Sequence, residues 1–140
     1  LLVASTEAAF GVPEVKRNLV AAAGALFRLP AALPRNVAME MLLTGEAIDA
    51  AEARRMGLVN RVVPAGAARE EALALARSIA GRSSLTIRTG KRAFHAQAEM
   101  GLADAYDYAA RVMAENMMAR DAEEGIGAFI EKRAPTWEDR

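Results

Sequence analysis

The chain has 140 residues, with 18 basic and 18 acidic side chains and no cysteine. A balanced charge creates no global field toward nucleic acid or an anionic membrane, and without thiols there is neither a disulfide framework nor a thiolate metal site. The length suits one domain with a buried core, no apolar run approaches the roughly 18 residues of a membrane-spanning helix, and no signal peptide is visible, so a cytoplasmic protein is the default expectation.

Leu1-Leu2-Val3-Ala4 reads as the end of a buried strand, so the sequence is expected to be part of something longer. The first five residues predict that strand, and residues 10–12 a second extended piece. Residues 21–33 are alanine-rich and predict a helix interrupted at Pro30 and ended before Pro34. Asn36 is the candidate N-cap of a helix through Leu43 that Gly45 closes. Asp49 followed by Glu52 has capping-box spacing and opens a short helix ended by Gly57. Residues 58–63 are rich in β-branched side chains and predict a strand stopped by Pro64.

An amphipathic helix follows over residues 70–80, ending at Gly81. Ser84 is the candidate cap of the next helix, which runs through Lys91 to Gln97. Leu102, Tyr106, Ala109, Met113 and Met117 recur at helical spacing, and Asp107, Arg111 and Glu115 alternate in sign on another face, as on a solvated surface. The ordinary reading of that apolar stripe is intramolecular core. Met113, Met117 and Met118 also suit an irregular contact with a partner, because methionine adapts to uneven surfaces. A last helix is expected from Asp121, with Glu124 as its reciprocal cap, through Glu131, before Pro135-Thr136-Trp137 ends the fold.

The chemistry concentrates in Phe10-Gly11-Val12-Pro13-Glu14-Val15-Lys16. Gly11 permits unusual backbone geometry or close approach, and Pro13 fixes φ beside Glu14. A carboxylate framed by Phe10, Val12 and Val15 is a candidate for desolvation and proton transfer. On local pattern alone, Pro-Glu is an ordinary helix start. Other groups carry less. His95 has no carboxylate or serine arrangement around it and reads as a surface or helix-packing residue, Ser83-Ser84 as a cap, and Glu40 and Glu46 as exposed or structurally paired acids. Lys16-Arg17 and Arg54-Arg55 read as solvated pairs, although one of them could approach phosphates. Gly24 and its neighbours form neither a dinucleotide fingerprint nor a P-loop, and metal ligation is unsupported.

An ordered series of segments changes the weight of Glu14. Ala9-Phe10-Gly11-Val12-Pro13-Glu14-Val15-Lys16 is followed by Arg28-Leu29-Pro30, by Ala38-Met39-Glu40-Met41-Leu42-Leu43-Thr44-Gly45-Glu46 and by Ala50-Ala51-Glu52-Ala53. Gly57-Leu58-Val59-Asn60-Arg61-Val62-Val63-Pro64 and Glu124-Gly125-Ile126-Gly127-Ala128-Phe129-Ile130-Glu131-Lys132-Arg133 complete it. Over nearly all 140 residues this resembles the C-terminal half of the enoyl-CoA hydratase/isomerase (crotonase) family.

The resemblance implies an α/β fold that is predominantly α-helical in this segment. Residues 1–64 would be the C-terminal remnant of a ββα spiral, and residues 65–140 a helical trimerisation region. It implies that Glu14 matches the second of two glutamates that deliver water across an enoyl-CoA double bond. The first, on a Gly-Gly-x-Glu segment, and the oxyanion-hole amides would precede Leu1, in a missing N-terminal half that is the chain's expected partner. Phe129 and Lys132 match positions that contact the adenine and phosphate end of coenzyme A, where a lysine acts as a point charge.

The chain also departs from the pattern Gly-x-x-Pro-Gly-x-Gly-Gly: three glycines are Asn18, Ala22 and Ala25, and the proline is Ala21. Ala22 keeps an amide that could donate to substrate, while the Cβ atoms of Ala22 and Ala25 narrow the space beside the acyl group. The implied activity is hydration of a 2-trans-enoyl-CoA to a 3-hydroxyacyl-CoA, with the acyl-CoA as substrate and no cofactor. The alternatives are a double-bond isomerase or carnitinyl-CoA-type dehydratase and, in another class, an inactive assembly module without an oxyanion hole. A homotrimer or hexamer is implied, with no nucleic-acid or membrane partner.

Overall fold

The computed structural model describes residues 1–140 and divides into two compact units, Leu1–Leu75 and Ala76–Arg140. In chain order the first unit holds β1 (Val3–Ser5), β2 (Ala9–Phe10), a 3-10 turn (Pro13–Arg17), α1 (Ala25–Ala32), α2 (Arg35–Thr44), β3 (Ile48–Asp49), α3 (Ala50–Arg55) and β4 (Arg61–Val63). The helix α4 (Ala68–Ala80) crosses the division between the units.

β1 and β4 pair in parallel, with Val3 opposite Arg61 and Ser5 opposite Val63. β2 and β3 form an antiparallel ribbon with Phe10 opposite Ile48. Small side chains decide how closely α3 approaches these strands. Ala50 and Ala53 are fully buried and form a cluster with Ala4 and Val59, against which Phe10, Ile48 and Leu58 pack. A leucine at Ala53 would overpack that contact at a cost of about 1–3 kcal/mol. Leu33, Ala38 and Met41 form a second cluster, and Ile48 and Leu58 touch both.

Local chemistry starts and stops these elements. The Asp49 carboxylate accepts the Glu52 N–H at 2.7 Å and caps α3, as its spacing predicts. Glu52 does not reach back to complete a capping box, however; its carboxylate takes the Arg55 guanidinium one turn on. α1 begins only at Ala25, because Gly24 has φ +124° and breaks the helix expected from residue 21. Pro30 lies inside α1 without ending it, since in the last turn its missing N–H forfeits one bond. Pro34, and not Asn36, is the N-cap of α2, and the second strand covers Ala9–Phe10 instead of residues 10–12.

The second unit contains α5 (Ser84–Gln97), α6 (Leu102–Met117) and α7 (Arg120–Glu131). Ser83, one residue before the expected cap, accepts the Thr86 N–H at 3.3 Å. α7 starts after Ala119, and Asp121 has a different task from the one its position suggests. Its buried carboxylate accepts the Glu138 and Asp139 N–H groups, at 2.8 and 3.1 Å, while its own N–H donates to the Arg140 carbonyl. The Ser83 hydroxyl first, and then the Glu138 amide, hold this carboxyl below the usual aspartate range. Asp139 in turn accepts the Ser84 N–H at 2.6 Å, and the Trp137 indole donates to the Gly81 carbonyl at 3.1 Å. The tail thus ties together the N-terminal ends of α5 and α7.

The apolar stripe of α6 is not core. Leu102, Tyr106 and Met113 are 77%, 71% and 60% exposed. The half-buried face is Ala105, Tyr108, Val112 and Asn116, and Asn116 reaches Thr86 of α5. The alternating charges of Asp107, Arg111 and Glu115 are solvated, as expected.

Candidate active site

Glu14 lies in the 3-10 turn that leaves the β2–β3 ribbon. Pro13 opens the turn, where a missing N–H is no loss, and Asn18 closes it at φ 56° with its N–H directed to the Glu14 and Val15 carbonyls. Asparagine tolerates the left-handed conformation, so Asn18 preserves a geometry suited to glycine.

The loop after α2 buttresses this turn at three points. Gly11 lies against Ala47, where a Cβ on Gly11 would stand 3.2 Å from the Ala47 Cβ. Gly45 closes α2 at φ +67°, and a Cβ there would stand 3.0 Å from both Val15 Cγ1 and Lys16 Cγ. Lys16 Nζ pairs with Glu46 Oε1 at 2.8 Å. Thr44 shapes the loop by donating its hydroxyl to the Glu40 carbonyl and accepting the Glu46 N–H.

Held in this way, the Glu14 side chain is half-buried, and its Oε2 is buried with no hydrogen-bond partner. Folded proteins rarely leave a carboxylate oxygen so, because the lost hydration is costly. Such an atom is suited to accept a proton or a hydrogen bond from a small donor.

The remaining acids do not match it. Glu46 is committed to Lys16, and Glu40 is exposed on α2. Beside the turn, Val15, Leu19, Val20, Leu26, Met39 and Leu43 line an apolar cleft of about 350 Å³. Ala22 is exposed, and its N–H donates to the Val20 carbonyl at 2.7 Å.

Phe129 and Lys132 belong to the second unit, at the C-terminal end of α7. Phe129 is 85% exposed. Lys132 is the left-handed residue that closes the helix, at φ 57°, and the next amide, of Arg133, returns to the Ala128 carbonyl at 3.0 Å. The sequence reading missed the arrangement around Arg133. Its guanidinium grips both oxygens of Glu124 at 2.6 and 2.8 Å and one oxygen of Glu131 at 2.5 Å. Glu124 Oε1 also accepts the Thr136 N–H at 2.8 Å. Arg133 first, then the Thr136 amide, lower the Glu124 carboxyl to about 2. Glu124 is therefore the anchor of the segment after α7, and not the reciprocal cap at its start. Two carboxylates, Glu124 and Glu131, on the helix leading into a Lys-Arg pair were the available signal.

His95 is exposed at the surface of α5, edge-on to the exposed Phe94 ring with centroids 5.4 Å apart. No helix is long and apolar enough to cross a membrane.

The family model described as enoyl-CoA hydratase/isomerase matches residues 1–140. The chain belongs to the enoyl-CoA hydratase/isomerase family. It is 42% identical over 137 residues to the rat mitochondrial enoyl-CoA hydratase domain-containing protein 3, a match covering 98% of this chain and 45% of that protein. The structure superposes on an enoyl-CoA hydratase of Mycobacterium tuberculosis with a TM-score of 0.92 at 37% identity, over 100% of this chain and 56% of the other. For human enoyl coenzyme A hydratase domain-containing protein 3 the TM-score is 0.89 at 41% identity, over 96% and 53%. The fold is that of the C-terminal, largely helical part of a crotonase. The chain spans about half the length of the curated relatives it matches.

Proposed function

We propose that this chain carries the proton-transfer carboxylate of an enoyl-CoA hydratase, and that Glu14 is that group. In the reaction, water adds across the double bond of a 2-trans-enoyl-CoA. Hydroxide equivalent joins the β-carbon, a proton joins the α-carbon, and the thioester oxygen carries the transient negative charge. Glu14 accepts or donates the proton, and a second glutamate on a Gly-Gly-x-Glu segment outside this chain takes the complementary role. Backbone donors from that same region stabilise the enolate. The observation that carries the reading is the buried, unpartnered Oε2 of Glu14 on a turn buttressed from three sides.

Phe129 and Lys132 fit the other end of the substrate, with the exposed ring beside adenine and the ammonium beside phosphate. Residues 65–140 serve association with other copies, in a trimer or hexamer. The exposed stripe of Leu102, Tyr106, Met113 and Met117 supports this, since an apolar face of that kind asks for cover.

The test is the steady-state loss of enoyl-thioester absorbance with full-length Glu14→Gln protein. Turnover should fall by at least about a hundredfold, the low end for acid–base groups. Retained hydration would remove Glu14 from the mechanism. Retained isomerisation with no hydration in the unsubstituted protein would favour the double-bond isomerase.

A further inference from the structure

Lys132 makes no ion pair, although the helix that leads to it ends in acids. Glu131 precedes it directly, and Glu124 lies two turns back on the same helix. Both carboxylates are instead taken by Arg133, which spends all three of its guanidinium nitrogens on them. A planar fork can hold two oxygens of one carboxylate and still offer Nε to a second; a lysine could not do this. Two further hydrogen bonds hold the backbone that follows the left-handed turn back onto the helix. Arg133 N–H returns to the Ala128 carbonyl, and Thr136 N–H to the Glu124 carboxylate.

We infer that Arg133 is the positioning residue that keeps the Lys132 ammonium unpaired and available to an anionic group of the ligand, by binding the two carboxylates that would otherwise neutralise it. This rests on the reading of Lys132 as a contact for the phosphates of the acyl-CoA. The inference makes Arg133 an indirect determinant of affinity for the nucleotide end of the substrate. Arg133 itself touches neither that end nor the reacting carbons.

A plain structural brace and this arrangement differ in one respect. If Arg133 acts by occupying Glu131, then removing the charge of Glu131 should compensate for its loss. The experiment compares full-length Arg133→Gln, Arg133→Gln/Glu131→Gln and Lys132→Ala proteins on an enoyl-CoA and on the matching enoyl-pantetheine, which lacks the nucleotide phosphates. Arg133→Gln should raise KM for the enoyl-CoA by about tenfold, the size of one lost charge-assisted contact, with kcat within about twofold and KM for the pantetheine thioester unchanged. The added Glu131→Gln substitution should recover most of that KM. Failure of the second substitution to recover it, or an equal rise with both thioesters, overturns the inference. If Lys132→Ala leaves KM for the enoyl-CoA unchanged, the reading of Lys132 fails and this inference fails with it. Arg133→Lys keeps the charge but loses the fork; should Arg133→Gln not fold, this variant must still raise KM selectively for the enoyl-CoA.

Discussion

Gly11 and Ala47 touch so closely that one added methyl group would bring their Cβ atoms to 3.2 Å, and this contact joins the turn bearing Glu14 to the loop that follows α2. Gly11→Ala should therefore shift the turn by a few tenths of an ångström. We expect a stability loss of about 1 kcal/mol, the low end for overpacking, because exposed Ala47 can yield. Ala47→Gly in the same protein should restore only part of it, because the added Cβ would still stand 3.3 Å from the residue 47 Cα. Gly45→Ala should cost more, about 2–3 kcal/mol, because it adds left-handed strain to contacts of 3.0 Å with Val15 and Lys16. Urea denaturation of the three variants ranks them.

Lys132 occupies a position where glycine would be more stable. A left-handed non-glycine residue costs roughly 1–2 kcal/mol, and the extra freedom of an unfolded glycine offsets part of the relief. Lys132→Gly should therefore stabilise the protein by about 0.5–1 kcal/mol while weakening its hold on the nucleotide end of the substrate. Thermal melting and KM, measured on one preparation, should move in opposite senses: a higher Tm with a poorer KM. A variant with lower Tm would contradict the cost assigned to φ 57°.

The Glu124 carboxyl is lowered from an ordinary 4.5 to about 2, chiefly by Arg133 and then by the Thr136 amide. A carboxyl depressed in the folded state stabilises fully above its unfolded value and loses that contribution as pH falls through the folded value. The clamp should thus be intact at pH 5 and above, and weaken from about pH 4.5 down to about 2. Melting temperatures followed from pH 6 to pH 2 should fall less steeply for Glu124→Gln than for the unsubstituted protein. Some slope should persist, because Asp121 is shifted in the same direction by Ser83 and the tail amides.

Trp137 is the single tryptophan of the chain and reports on the tail alone. Its ring lies near Gly125, where an added Cβ would stand at an ordinary 3.4 Å, and its indole donates to the Gly81 carbonyl. Gly125→Ala should be tolerated. Trp137→Phe keeps most of the packing and loses the hydrogen bond, at a cost of about 1 kcal/mol. Intrinsic fluorescence of the unsubstituted protein should shift to the red in the same denaturant range where helical dichroism of the second unit is lost.

Contacts within one turn of chain were legible in the sequence. Asp49 caps α3 through an amide three residues on, and Gly45 ends α2 through its own φ; both effects are local. The misplacements have equally local causes. Gly24 at φ +124° delayed α1, and two adjacent serines left the cap ambiguous by one residue. Periodicity found α6 but chose the wrong face, because the helix turns a mixed stripe of Ala105, Tyr108, Val112 and Asn116 inward and leaves its most apolar stripe outside. No composition rule predicts that. Glu14 was recognised as a framed acid, whereas the frame itself is tertiary. It depends on Gly45, Glu46 and Ala47, roughly thirty residues along the chain, coming to rest on Gly11, Val15 and Lys16.

Glu14 is proposed as the carboxylate whose proton transfer carries water addition and its reversal. Incubation of the full-length protein with a 3-hydroxyacyl-CoA in deuterium oxide, followed by proton NMR of the C2 position, reads that step directly. The unsubstituted protein should wash deuterium into C2 as hydration reverses, and Glu14→Gln should lower the exchange rate by at least about a hundredfold. C2 exchange at an undiminished rate in Glu14→Gln would contradict the assignment.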